Sequence, residues 1–132
     1  MKSRLSVLMF VAILMCGVTA VAHHSFAGSY IEDKTVTLEG KVVQFDIRNP
    51  HSFINIEVIG KDGKPARWGG EWGGVTQLSE GGVTKFTLKV GDKVIIDGAP
   101  SRDTEEHKIL IRTVTRPAFG NTPEFKWTGR VQ

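Results

Sequence analysis

The alternation of apolar and polar residues between Val36 and Ile47 limits most strongly what this chain can form. Val36, Leu38, Gly40 and Val42 share one phase, and Val43, Phe45 and Ile47 take the other. Side chains of a strand alternate between two faces, so a slip of one residue moves the apolar set to the opposite side. A slip close to a glycine predicts one long strand with a β-bulge and a sharp bend. Asn49-Pro50 ends that strand, because proline removes a ladder donor and restricts its predecessor.

Later segments supply partners for the bent strand. Phe53 to Ile59 reads as a second strand with Ile54, Ile56 and Val58 on one face. Lys61-Asp62-Gly63-Lys64 is a hairpin turn, since Asp-Gly tolerates positive φ. Arg67 to Trp72 is a third strand, weakened by Gly69 and Gly70. Val75 to Glu80 has room for a short helix with Val75 and Leu78 inward and Gly81-Gly82 as its stop. Val94-Ile95-Ile96 and Lys108 to Val114 are the last two strands. Three strands, a helix and two strands, the first bent to serve both sheets, is the order of an OB-fold. The expected class is therefore all-β with one short helix, a small OB-fold-like five-stranded barrel. A generic five-stranded sandwich or another small barrel is the alternative. The barrel domain spans 34–117, preceded by an N-terminal arm at 23–33 with Phe26 and Tyr30 as anchors. The segment 118–132, with Pro123, Gly120 and Gly129, is expected to be an irregular tail.

The first residues read as an address. Lys2 and Arg4 precede an apolar run from Leu5 to Met15, and Ala20-Val21-Ala22 offers small residues for cleavage. That is the pattern of a secretory signal peptide at 1–22. The run is shorter than the roughly 20 residues that span a bilayer. The expected location is periplasmic or secreted, with no membrane anchor after cleavage. Removing 22 of the 132 residues takes away two bases and no acid, so the formal charge falls from +3 to +1. The only cysteine, Cys16, goes with them. A chain so nearly neutral lacks the basic face that nucleic acids require. The expected partner is a metal ion or small ligand, with any protein partner unspecified.

Cleavage after Ala22 exposes His23-His24-Ser25-Phe26. A terminal histidine offers its α-amine and ring Nδ1 to one metal ion. A further imidazole from His51, in Asn49-Pro50-His51-Ser52, completes a three-nitrogen set suited to copper. His24 is an additional donor. Cleavage after Ala20 instead leaves His23 third from a free amine, which is also a copper- or nickel-binding arrangement. The competing readings are a merely polar terminus for His23 and His24 and loop bracing for His51. His107 reads as a solvated turn residue. Glu71 reads as an edge-strand charge, with a carboxylate ligand as its alternative. Trp68, Trp72, Trp127 and Phe45 suit a stacking platform for a ligand, or barrel core with a tail anchor. No nucleophile–base pattern is visible, so catalysis is not expected from the residues alone. A copper-dependent oxidative enzyme and a non-metal envelope module are the alternatives to a binding domain.

These motifs together resemble a family of small exported bacterial proteins of unknown function, domain of unknown function 6152. The resemblance rests on His23-His24-Ser25-Phe26, Val36-Thr37-Leu38-x-Gly40-x-Val42 and Asn49-Pro50-His51-Ser52. It continues through Trp68-x-x-Glu71, Leu88-Lys89-x-Gly91-Asp92-x-Val94 and Val114-Thr115-x-Pro117. It covers nearly the whole mature chain. The resemblance implies export and a compact β domain, and it brings no catalytic residues. Two departures lie close to Glu71. The stretch Gly69 to Gly74 is richer in glycine than usual, and Val75-Thr76-Gln77 replaces a Pro-Asn helix start.

Overall fold

The computed structural model describes residues 25–131. The expected signal peptide, His23 and His24 lie outside them. The chain runs α1 (Ser25–Ser29), β1 (Val36–Asp46), β2 (Ser52–Ile59), β3 (Pro65–Trp72), α2 (Val75–Glu80), β4 (Lys93–Pro100), β5 (Lys108–Arg116) and β6 (Phe125–Thr128).

β1 does what its phase slip predicts. Val36 to Lys41 pairs with β4, and Lys41 to Asp46 pairs with β2. The register shifts between Val42 and Gln44, so the bulge falls on Val43. At the turning point a Cβ on Gly40 would collide with the Glu57 carbonyl, so only glycine lets β2 approach there. β2 then pairs with β3, and β3 closes the barrel by pairing in parallel with β5 over Gly69 to Glu71. β5 returns to β4. The resulting cycle β1-β2-β3-β5-β4, with α2 between β3 and β4, is a closed OB-fold-like barrel.

The Asp62-Gly63 turn forms as expected. Gly63 has φ 75°, and the Lys64 amide donates to Asp62 Oδ1 at 3.0 Å. Inward positions of every strand fill the interior, with Val42, Ile54, Ile56, Val94, Ile96, Ile109, Ile111 and Val114 buried. Leu78 of α2 is fully buried with them. Val75 is not inward as expected; it is 39% exposed at the first helical position. Its amide donates to Asn49 Oδ1 at 3.0 Å. Gly74 has no side chain with which to cap α2, so Asn49 of the β1–β2 loop takes that role.

The tail is a second correction. A tight hairpin at Phe119 to Thr122 returns the chain as β6, which pairs with Thr113 to Arg116 of β5. Trp127 and Val131 are buried, and Trp127 meets Trp72 edge-on with centroids 5.2 Å apart. Burial of Trp127, with Phe125 packed against the core, accompanies a four-residue strand despite the flanking proline and glycine.

The N-terminal arm is pinned to the barrel. Tyr30 is buried and bridges to Ser101. The Arg112 side chain donates to Thr35 Oγ1 at 2.8 Å and to the carbonyls of Lys34 and Glu32. Among the described residues, no helix is long and apolar enough to cross a membrane.

Candidate functional site

The loop after β1 carries His51 and the end of β3 carries Glu71. Their positions follow from the β2–β3 register, in which Ser52 faces Trp72 and Phe53 faces Glu71. His51 precedes Ser52 and so lies beside that end of β3. The loop is held from both sides. Ser52 Oγ accepts from the Arg48 amide at 3.1 Å, and Asn49 caps α2. The Asn49–Pro50 peptide is cis.

His51 Nδ1 lies 2.8 Å from Glu71 Oε1. The Tyr30 hydroxyl donates to Glu71 Oε2 at 2.6 Å. Both side chains of the pair are mostly covered, at 23% and 18% exposure. The Phe26 ring packs over His51 with centroids 5.0 Å apart, and over Tyr30 at 6.3 Å. A carboxylate accepting from Nδ1–H sets the imidazole tautomer and leaves the Nε2 lone pair to bind elsewhere. Nε2 has no hydrogen-bond partner among the described residues.

Glu71 is therefore not an edge-strand charge. β3 is paired on both sides, with Glu71 opposite Phe53 on β2 and Leu110 on β5. The carboxylate takes one donor on each oxygen and links the arm, β3 and the β1–β2 loop. Burial, then the bond to Glu71, pushes the Tyr30 hydroxyl well above its ordinary value of 10.0. Tyr30 thus stays a neutral donor wherever the protein is folded near neutrality.

That shift has a measurable consequence. Tyr30 is the only tyrosine in the chain, so phenolate absorbance reports it alone. The raised value means that the folded state holds its proton more tightly than the unfolded chain does. The stability it contributes is complete below about pH 10 and is lost as pH rises further. Phenolate absorbance should stay flat through pH 10 and rise together with unfolding. A simple titration centred near pH 10 in folded protein would contradict the buried hydrogen bond.

The tryptophans follow the alternative of barrel core with a tail anchor rather than a platform. Trp68, Gly70 and Trp72 share the inward phase of β3, opposite to Glu71. Trp72 is fully buried between Phe45 and Trp127, with centroids 6.0 and 5.2 Å away. Trp68 is half-buried and stacked by His107 at 4.8 Å, with only 16° between the rings. Trp72 thus presents no face to a ligand, and Trp68 has one face taken by its own chain. His107 is exposed, as expected of a turn residue, and its ring caps Trp68.

Of the expected ligand residues, then, the fold brings His51 and Glu71 together and adds Tyr30 and Phe26. Among the described residues there is no group of three or more His, Cys, Asp or Glu that could hold a metal ion. His23 and His24, the other expected donors, lie outside the described residues.

A family model described as a family of unknown function (DUF6152) matches residues 12–110. The chain belongs to that family. The DUF6152 match takes in Tyr30, His51 and Glu71 and stops within β5, before β6. No curated protein matches the chain.

Proposed function

We propose that this DUF6152 protein is an exported binding domain that holds one copper ion between its mature N-terminus and His51. The observation that carries the reading is the 2.8 Å contact from His51 Nδ1 to Glu71. Histidines that bind metals through one nitrogen regularly donate the other N–H to a carboxylate, which fixes ring orientation and raises basicity. Glu71 supplies that carboxylate, and Tyr30 holds Glu71.

Chain length supports the second half of the set. Phe26 packs on the His51 ring, and His23 lies only three residues earlier. Three extended residues reach about 10 Å, enough to return the terminal amine and imidazole to Nε2. Amine and imidazole nitrogens in a planar array suit copper in particular. When bound, copper would be held by the His23 amine and ring and His51 Nε2, with His24 as an additional donor. The chemistry such an ion supplies is nitrogen-held capture or electron exchange. The chain's own residues orient one imidazole and shield it with Phe26.

Calorimetric titration of the chain beginning at His23 with Cu(II) tests this. One equivalent should bind, and both His51→Ala and a chain carrying one extra N-terminal residue should lose most of the affinity. Equal binding by all three would leave the His51–Glu71 pair as a structural brace. Export is tested separately by N-terminal sequencing of the protein outside the cytoplasm, which should begin at His23.

A further inference from the structure

The three most exposed large apolar side chains of the described residues are Phe86, Val90 and Phe119, at 74%, 73% and 87%. None sits on a slack segment. Phe86 is held in a turn where the Thr84 amide donates to Thr87 Oγ1 at 2.8 Å and the Thr87 amide to the Thr84 carbonyl at 3.0 Å. Val90 lies in a turn closed twice, by Lys89 N to Asp92 Oδ2 at 2.9 Å and Asp92 N to Lys89 O at 3.0 Å. Phe119 stands at the base of a hairpin closed by two bonds to Thr122, at 3.0 and 2.9 Å. Turn tips ordinarily carry small polar residues. Here three ordered turns each hold an apolar side chain in water.

Arg116 joins the three turns. Its Nη1 donates to the Thr87 carbonyl at 2.6 Å and lies 3.9 Å from Asp92 Oδ2. Its Nη2 donates to the Pro123 carbonyl at 3.0 Å, beside the Phe119 hairpin. The second and third turns also face each other across a groove of about 310 Å³ that includes Arg116, Lys41 and Lys93. Lys41, Lys85, Lys89 and Lys93 are all exposed, and none forms an ion pair within 4.0 Å among the described residues. Lys85 and Lys89 directly precede Phe86 and Val90. On these turns and their groove the acids are Asp92, already engaged, and Glu124. Glu39 and Glu57 share a neighbouring groove with Lys41 and Lys93.

We propose that this end of the barrel docks peripherally on a membrane surface that carries anionic headgroups. Lysines on flexible stems meet phosphates while apolar side chains between them enter the boundary between headgroup and acyl chain. A second protein would want a continuous patch of roughly 600 Å² or more on this side. Three side chains raised on separate turns suit a soft, penetrable surface better than a complementary rigid one. The site is distinct from the His51–Glu71 pair, so its test does not depend on copper.

Vesicle flotation of the chain beginning at His23 tests the proposal. That start is used because the run from Leu5 to Met15 would itself enter lipid, and the core cluster of the described residues runs from Tyr30 to Val131. At low salt the protein should float with vesicles rich in phosphatidylglycerol and remain behind with pure phosphatidylcholine. F86S/F119S and K85E/K89E should each lower the bound fraction about tenfold or more at limiting lipid. Both pairs are exposed, so melting should be unchanged. Three outcomes overturn the proposal: no flotation with anionic vesicles, flotation indifferent to both double variants, or a dimer in solution that F86S/F119S dissolves. The last would make the three turns a contact between copies of this chain.

Discussion

Trp72→Ala lowers the stability of the domain by about 3–5 kcal/mol, the range for a large aromatic removed from a close-packed interior. Typical domains have only about 5–15 kcal/mol in total, so the variant sits near the limit of folding at 37 °C. Trp72 is fully buried and is the largest such side chain in the barrel. Its ring touches the bend of β1 through Phe45 and the appended β6 through Trp127. Its loss opens a cavity where three parts of the chain meet, and β6 should detach first. Urea melts of Trp72→Ala and Trp72→Phe make the measurement. Trp72→Phe keeps most ring contacts and removes an indole N–H that has no partner among the described residues. It should cost clearly less. Similar small losses for both would mean that Trp72 is not the centre of the core and would reopen the platform reading.

Glu71→Gln changes the site with little change of shape. The amide can still accept from one donor, but it no longer presents two charged acceptors to His51 and Tyr30. The copper reading predicts about a 10–100-fold loss of metal affinity, as for removal of other carboxylates behind a metal-bound imidazole. Tyr30→Phe should produce a smaller loss in the same direction, because it removes one of the two bonds that hold Glu71. Affinity measured by competition with a chelator separates this from a folding defect. A structural brace alone would lower the melting temperature of apo-protein and leave the affinity where it was.

The sequence made legible those parts of the fold in which neighbours in sequence act together. The bend of β1 was readable because Val42 and Val43 are both apolar, and a single strand cannot bury both on one face. The turn at Asp62-Gly63 was readable for the same local reason. β6 was not, because Phe125-Lys126-Trp127-Thr128, although it alternates, is only four residues long and lies between Pro123 and Gly129. Its strand character comes from burial against Trp72. Val75 misled because helical spacing from Leu78 points inward, whereas the first residue of α2 is oriented by the cap from Asn49.

The site divides in the same way. His51 and Glu71 stood out from the residue types and from the motifs that surround them. Their contact did not, since it depends on the β2–β3 register across a hairpin. Tyr30 reaches Glu71 across 41 positions of sequence, and no local pattern marks that bond. The glycines around Glu71 suggested an exposed, weakened edge. In the barrel the parallel pairing of β3 with β5 covers it.

Pulsed electron paramagnetic resonance of one equivalent of Cu(II) on the chain beginning at His23 tests most directly whether His51 holds copper. Modulation from the remote nitrogens of two imidazoles, His23 and His51, is expected. His51→Ala should remove one of them, and Glu71→Gln should perturb it. A spectrum identical in wild type and His51→Ala would show that copper, if bound, sits on the terminus alone, and would contradict the account.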